Sequence, residues 1–484
     1  MSEDHAPLPR LDHSRLPTLA AGIGRPGYDP AAVRVGIVHI GVGAFHRAHQ
    51  AVYIDDVLAI DPRWGICGVS LHSGAVRDAL AAQDGLYTLA LLQHPPALRV
   101  IGAVRELLCA RDQGDQVLQR MADPAIRIVS LTITEKGYCL AGEELDTTHP
   151  DIVHDQASPM RPRSAIGLLV AALALRRQRG VAAFTALSCD NLADNGGKLR
   201  RAVLQFAGLV DPALADWIRV QASFPCSMVD SITPATDEAT RERVAAALGC
   251  IDAWPVQREP YTQWVVEDDF RHGRPALEQV GVTMSADIAA HDQAKLRLLN
   301  GAHSSLAYIG LLRGHQTVAG AMDDPALAAF VERLMRRHIA PTLRMPPAFD
   351  SDGYISAILQ RFANPAIQHQ LSQIAWDGSQ KLPVRLLGTL ADRLADAHDI
   401  DALSLPIVAW MRFVQRQANN GVALVDPISD ALTAIGLRCN GEPAHDLGLF
   451  LGLDAMFAGL ATEPCFAAAL LRADARLQRG DFPD

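Results

Sequence analysis

The stretch that most narrows what this chain can fold into is Val35-Gly-Ile-Val-His-Ile40, followed at once by Gly41-Val-Gly43-Ala44-Phe45-His-Arg47-Ala-His-Gln-Ala-Val-Tyr-Ile54. The first run is apolar, rich in β-branched residues and of strand length. Two glycines one residue apart then make a tight turn, and the residues after them have helical periodicity. Strand, glycine turn and helix in that order open a doubly wound α/β sheet. Gly41 permits the turn, Gly43 lets backbone approach a pyrophosphate, and the phosphate charge rests on the helix N-terminus. His46 stands where a third glycine completes the GxGxxG pattern, so the turn by itself also fits an ordinary βα connection.

The alternation continues downstream. Strands are predicted at Gly65-Ile-Cys-Gly-Val-Ser-Leu71, 86–92, Ile126-Arg-Ile-Val-Ser-Leu-Thr-Ile133, Ala182-Ala-Phe-Thr-Ala-Leu-Ser188 and 280–284, with a helix from about 164 to 179. This predicts a Rossmann-like dinucleotide-binding domain over residues 1–285. Ligands of such sheets bind at the carboxyl ends of the strands. There the chain places Thr134-Glu135-Lys136, Cys189-Asp190-Asn191, and Asp230 after Phe224-Pro-Cys-Ser-Met-Val. Asn191 fits a site and equally an N-cap for the helix beginning near Asn195. The second strand of a dinucleotide fold usually ends in an acid that holds the adenosine ribose. Here it ends in His72-Ser73-Gly74 with Arg77 beyond, which leaves NAD and NADP both open.

From about residue 286 the pattern becomes helical, at 290–313, 325–338, 353–362, 382–397, 403–418 and 443–460, predicting a mainly α-helical second domain over 286–484. Its first helix carries Lys295, Asn300 and His303, at about 0°, 140° and 80° around an α-helical axis. Leu296, Leu299, Ala302 and Leu306 supply a packing face, and packing that desolvates Lys295 lowers its pKa towards neutrality, where a lysine can move protons. An amphipathic helix with a solvated lysine has the same spacing. Trp376-Asp377-Gly378-Ser379-Gln380-Lys381-Leu382-Pro383 is a polar turn entering a helix, readable as a site or as a cap with its proline start.

Charge and composition exclude several classes. A net charge of -10 with no basic run disfavours nucleic acid. Eight cysteines without a CxxC pair predict reduced thiols, and no HExxH-like pattern surrounds His46 and His49, so no metal is expected. The stretch Met1-Ser-Glu-Asp-His-Ala-Pro has neither a basic nor an apolar leader region, and no apolar run reaches membrane-spanning length. A cytoplasmic location with no membrane partner is expected. The oligomeric state is not readable.

Together, Gly41-Val-Gly-Ala-Phe-His-Arg-Ala-His49, Ser188-Cys-Asp-Asn191, Lys295-x4-Asn300-x2-His303 and Asp377-Gly-Ser-Gln-Lys381 resemble the polyol-specific long-chain dehydrogenase/reductase (mannitol dehydrogenase) family, over about residues 33–460. The resemblance implies an NAD-dependent oxidoreductase acting on the CH–OH group of a sugar acid or polyol. It implies Lys295 as acid/base, with Asn191 and Asn300 donating to the reacting oxygen. His303 and Lys381 would orient substrate; Gly41, Gly43, Ala44, Phe45, Arg47, Glu135 and Asp230 would line the cofactor side. Thr134-Glu-Lys136-Gly-Tyr-Cys139, Phe224-Pro-Cys226 and Gln373 look more like the hexuronate-reducing branch. Hexitol-oxidising members tend to have glycine at Lys136 and arginine at Gln373, and an added cation such as Lys136 suits a substrate carboxylate. From a different class, a catalytically inactive dinucleotide sensor would share the fold without the turnover.

Overall fold

The structure is a computed structural model that describes residues 8–346 and 349–482; the N-terminal stretch read above, residues 1–7, lies outside the described residues. The chain divides into two compact units, Met1–Ala289 and Ala290–Asp484.

The first unit is built on five strands: β1 (Val35–Ile40), β2 (Gly65–Ser70), β3 (Val104–Cys109), β4 (Ile128–Leu131) and β5 (Thr185–Ser188). They pair in the order β3-β2-β1-β4-β5, every pair parallel, with Ile40 opposite both Val69 and Leu131. The chain steps outward from β1 through β2 to β3, then returns to the other side of β1 for β4 and β5. Strand order therefore reverses between β1 and β4, and this is where an open α/β sheet leaves a crevice at its carboxyl edge.

Alternation along β1 sends Val38 and Ile40 to one face, where they pack with Leu131 and with Ile166, Leu169 and Leu173 of the helix Ala165–Gln178. Ile37 goes to the other face, with Ile66, Ile128 and residues Ile54, Val57 and Leu58 of the helix Gln50–Leu58. Both faces are covered, so the strands are apolar throughout. Each such aliphatic side chain contributes roughly 1.5–3 kcal/mol on burial.

The predicted strand at 86–92 forms, but outside this sheet. Tyr87–Leu91 pairs antiparallel with Ala97–Ile101 and parallel with Val256–Arg258. The edge position beside β2 belongs to β3, whose Arg105 and Glu106 interrupt the apolar run by which buried strands are found, Glu106 pairing with Arg120 at 2.7 Å. The predicted 280–284 strand is reduced to Thr283–Met284, in a third sheet with Gln263–Val266 and Ser227–Asp230.

The second unit is helical. Gly301–Leu312 packs against Asp401–Asn419, which in turn packs against Pro464–Arg479; Trp410 is enclosed by Phe450 and Phe457. Among the described residues no single helix is long and apolar enough to cross a membrane; one pair, Pro443–Leu451 with Asp454–Thr462, passes that test only jointly and is bent by 82°.

Candidate active site

In the first unit the turn after β1 has the geometry that its glycines require. Gly41 has φ +97°, and a Cβ there would lie 2.0 Å from the Thr132 carbonyl oxygen, so only glycine fits. A Cβ on the exposed Gly43 would meet nothing nearer than the Gly41 oxygen at 3.8 Å, which leaves its backbone open to a ligand. Thr132 Oγ1 donates to the Gly41 carbonyl at 2.8 Å, and His39 sits within hydrogen-bond distance of Thr132 Oγ1 (2.9 Å) and Ser130 Oγ (2.8 Å), so β1 and β4 hold the turn between them.

His46, the residue in the third glycine's place, is 1% exposed and stacks on His39 with centroids 3.4 Å apart and planes 8° from parallel. Where glycine would let helix and strand approach through empty space, two flat rings fill the gap. Burial keeps both neutral, pushing His39 down to about 3 and His46 well below its ordinary value.

The residues predicted for the cofactor side divide. Gly41, Gly43 and Ala44 line the turn, and Phe45 stacks on His49 at 5.0 Å. Arg47 is not brought to that turn's open side. It is 1% exposed, donates to the Trp254 carbonyl at 2.5 Å and lies over the rings of Tyr87 and Trp254, a packing role that its neighbours in sequence did not disclose. Arg77, too, is committed: its guanidinium pairs with Asp78 (2.7 Å) and Asp112 (3.2 Å) and donates to Gln113. Beyond β2 and β3 lies a cavity of about 810 Å³ whose lining includes His72, Arg111, Asp115, Arg161 and Arg163. A glycine turn open at Gly43 and the reversal between β1 and β4 fit a dinucleotide, while the cavity beyond β2 has none of the turn's residues in its lining.

At the ends of β4 and β5, Asp190 joins two loops. It accepts from the amides of Ile133 (3.1 Å) and Thr134 (2.8 Å) and from the Tyr138 hydroxyl (2.8 Å), and burial raises its pKa against these bonds. The loop that it holds carries Glu135 and Lys136, both exposed, on a 3-10 turn after Thr134, whose φ is +64°. Asn191 follows Asp190 and is exposed. It does not cap the helix Asn195–Val210, whose N-cap is Asp194. Asn195 donates to the carbonyls of Asp190 and Ser227, tying this edge to the strand that ends in the buried Asp230.

The second unit holds Lys295, Asn300, His303 and Lys381. The first three share one continuous helix, but not a uniform α-helix: Lys295–Asn300 is π-helical between Ile288–Ala294 and Gly301–Leu312, with the Gly301 amide donating to the Leu296 carbonyl five residues back. The α-helical angles predicted above are thereby corrected. An i→i+5 turn sets Asn300 about one turn beyond Lys295 instead of some 140° away, so amide and amine share a face.

Lys295 is 9% exposed and His303 8%; burial, with the cations of Arg361 and Arg385 nearby, holds the imidazole neutral. Asp292, three residues before Lys295, was not singled out from sequence, although the i, i+3 spacing puts it on the lysine's face. Its carboxyl is pushed up to about 6 by burial, against the pull of Lys295. Lys381 Nζ lies 3.7 Å from Asp377, and burial and Arg385 lower its pKa. Gln373 sits on the short helix Leu371–Ile374. Among the described residues no group of three or more His, Cys, Asp or Glu could hold a metal ion, and all eight cysteines are free.

A parallel sheet that reverses beside a glycine turn, followed by a helical unit carrying lysine, amide and imidazole along one helix, defines an α/β oxidoreductase with a helical second domain. The mannitol dehydrogenase Rossmann-domain family matches residues 35–279, and the mannitol dehydrogenase C-terminal-domain family matches residues 287–477. The chain belongs to the mannitol dehydrogenase family. It is 42% identical over 446 residues to D-mannonate oxidoreductase of Escherichia coli (90% of this chain, 91% of the relative), and 41% identical over 460 residues to mannitol 2-dehydrogenase of Cereibacter sphaeroides (93% and 95%). Among solved structures, the Pseudomonas fluorescens mannitol 2-dehydrogenase ternary complex with NAD and D-mannitol superposes with TM-score 0.78 at 39% identity, covering 97% of both chains.

Proposed function

We propose that this chain reversibly reduces D-fructuronate to D-mannonate with NAD as cofactor, in the cytoplasm, without a metal. The similarity to D-mannonate oxidoreductase and to mannitol 2-dehydrogenase is nearly equal, so overall identity does not choose between sugar acid and polyol. The observation that carries the sugar-acid reading is the set of cations around His303 and Lys381: Arg361 and Arg385 act on the imidazole, and Arg385 acts on the lysine. Asp377 and Asp426 act on Lys381 in the opposite sense, so the cationic surround is that of His303, and it favours a substrate that brings its own carboxylate.

The nicotinamide, when bound, supplies or accepts the hydride. Lys295 donates a proton to the alkoxide formed from the ketone and, as the free amine, takes it back in oxidation. Asn300, on the same helix as Lys295, donates a hydrogen bond to that oxygen, stabilising its charge as it develops, and Asn191 is the candidate second donor on the first unit. Burial pushes the Asp292 carboxyl up to about 6 against the pull of Lys295, which suits it to exchange protons with that amine. His303, held neutral, and Lys381 orient the hydroxyls, and Lys136 is a further cation within the first unit.

Steady-state assays with fructuronate/mannonate and with fructose/mannitol test the reading. Higher kcat/KM on the neutral pair makes the protein a mannitol 2-dehydrogenase, the second reading, with which its 41% identity to that enzyme is compatible. Bound dinucleotide with no turnover of either pair makes it a sensor. Fluorescence titration with both reduced nicotinamides tests the cofactor: NADPH binding tighter than NADH overturns the choice of NAD, for which β2 offers no carboxylate.

A further inference from the structure

The helical unit contains an imidazole and a guanidinium that its own residues leave short of partners. His303 packs on Phe362 (centroids 4.4 Å) and edge-on against His369 (5.3 Å), and its buried Nε2 has no hydrogen-bond partner among the described residues. The next residue, Ser304, accepts from Arg385 Nη1 at 3.1 Å, the one side-chain hydrogen bond of Arg385 among the described residues. Arg385 is part-buried and no carboxylate pairs with it there. Burial lowers its pKa, and the phenol of Tyr308 is the group acting against that.

The carboxylates nearby are engaged elsewhere. Asp377 lies against Lys381, and Asp426 accepts from the Ser379 amide (2.9 Å) and hydroxyl (2.6 Å). A guanidinium taken out of water without a counter-ion is costly unless something supplies one.

Its position is also fixed. Arg385 stands in a second π-helical turn, Pro383–Leu387, which packs against Lys295–Asn300. The contact is so close that a Cβ on Gly301 would lie 2.9 Å from the Arg385 carbonyl oxygen. The guanidinium is thereby held beside the helix that carries Lys295, Asn300 and His303.

Resting on the sugar-acid reading above, we infer that Arg385 is the residue that binds the substrate carboxylate, through its planar fork, with His303 as a neutral neighbour contacting the same end of the sugar. Arginine suits this task because its paired N–H groups match a carboxylate bidentately, which a lysine cannot do. The competing cation is Lys136, which is exposed on the first unit.

The test uses the full chain with NADH, measuring kcat/KM for D-fructuronate and D-fructose in Arg385→Ala, Arg385→Gln, Arg385→Lys and Lys136→Gly. We expect Arg385→Ala and Arg385→Gln to lower the uronate-to-fructose ratio at least 100-fold, mainly through KM for the uronate, and Arg385→Lys to restore part of it. The glutamine variant keeps the first three side-chain carbons and a polar, uncharged end, and far-UV circular dichroism reports whether each variant is folded. If the wild type prefers the uronate and folded Arg385→Ala or Arg385→Gln retains that preference, or if Lys136→Gly alone removes it, the inference is overturned while the substrate reading stands. If the wild type turns over only the neutral pair, the substrate reading falls first and takes this inference with it.

Discussion

Asp292 puts a measurable cost beside the proposed acid/base. Its carboxyl titrates at about 6 against an ordinary 3.8, so between those values the folded chain holds a proton that the unfolded chain has released. Stability from this group is full below about pH 3.8 and is lost as pH rises through 6. The ionised form thus costs the fold up to about 3 kcal/mol at pH 8. Urea unfolding of Asp292→Asn should show a gain of that order at pH 8 and almost none at pH 4. The same variant should flatten the limb of the kcat profile near pH 6, and an unchanged profile would remove Asp292 from proton exchange. Lys295→Ala should lower kcat by about 10²–10⁴ with NADH binding retained, as expected for loss of a general acid. Asp292 was within reach of sequence reasoning, being one helical turn from Lys295. Arg385 was not, because what marks it is that no carboxylate among the described residues pairs with it, visible only once Asp377 and Asp426 are seen to be engaged elsewhere.

At the level of elements, β1, β2, β4 and β5 were legible because strands covered on both faces are nearly continuous runs of Val, Ile, Leu and Ala. The edge strand β3 escaped because an edge tolerates Arg105 and Glu106. The π-helical turns were not legible: period-3.6 reasoning has no way to register one extra residue in a turn, and the leucines at 296, 298 and 299 satisfy either form. Their consequence is testable at Gly301, where the two turns touch. Gly301→Ala should cost about 1–3 kcal/mol in thermal or urea unfolding through overpacking against the Arg385 carbonyl. It should also depress kcat/KM, because moving either turn displaces Asn300 or Arg385. Gly41→Ala should cost at least about 1–3 kcal/mol from the backbone conformation alone, beyond its collision with Thr132, and should abolish tight NADH binding.

For the whole molecule, two separate cores predict two responses. In calorimetry, NADH at 100 times its Kd should stabilise the unit that binds it by about 2.7 kcal/mol, and a single unshifted transition would contradict assignment of the dinucleotide to the first unit. Acid should act on both units, through His39 and His46 in the first and His303 in the second. His39 and His46 are neutral in the fold, so the unfolded chain takes up protons first. Stability from His39 is full above about pH 6.5 and is lost as pH falls towards 3, with a slope of about 1.4 kcal/mol per pH unit, and His46 acts in the same direction. The imidazole pair has one more consequence, for how such chains are found. A motif scan that demands three glycines treats His46 as a defect, whereas β1 and the following helix are in contact here through two stacked rings. In this chain the third glycine's place is taken by a pairing: a histidine in the strand matched to a histidine seven residues later.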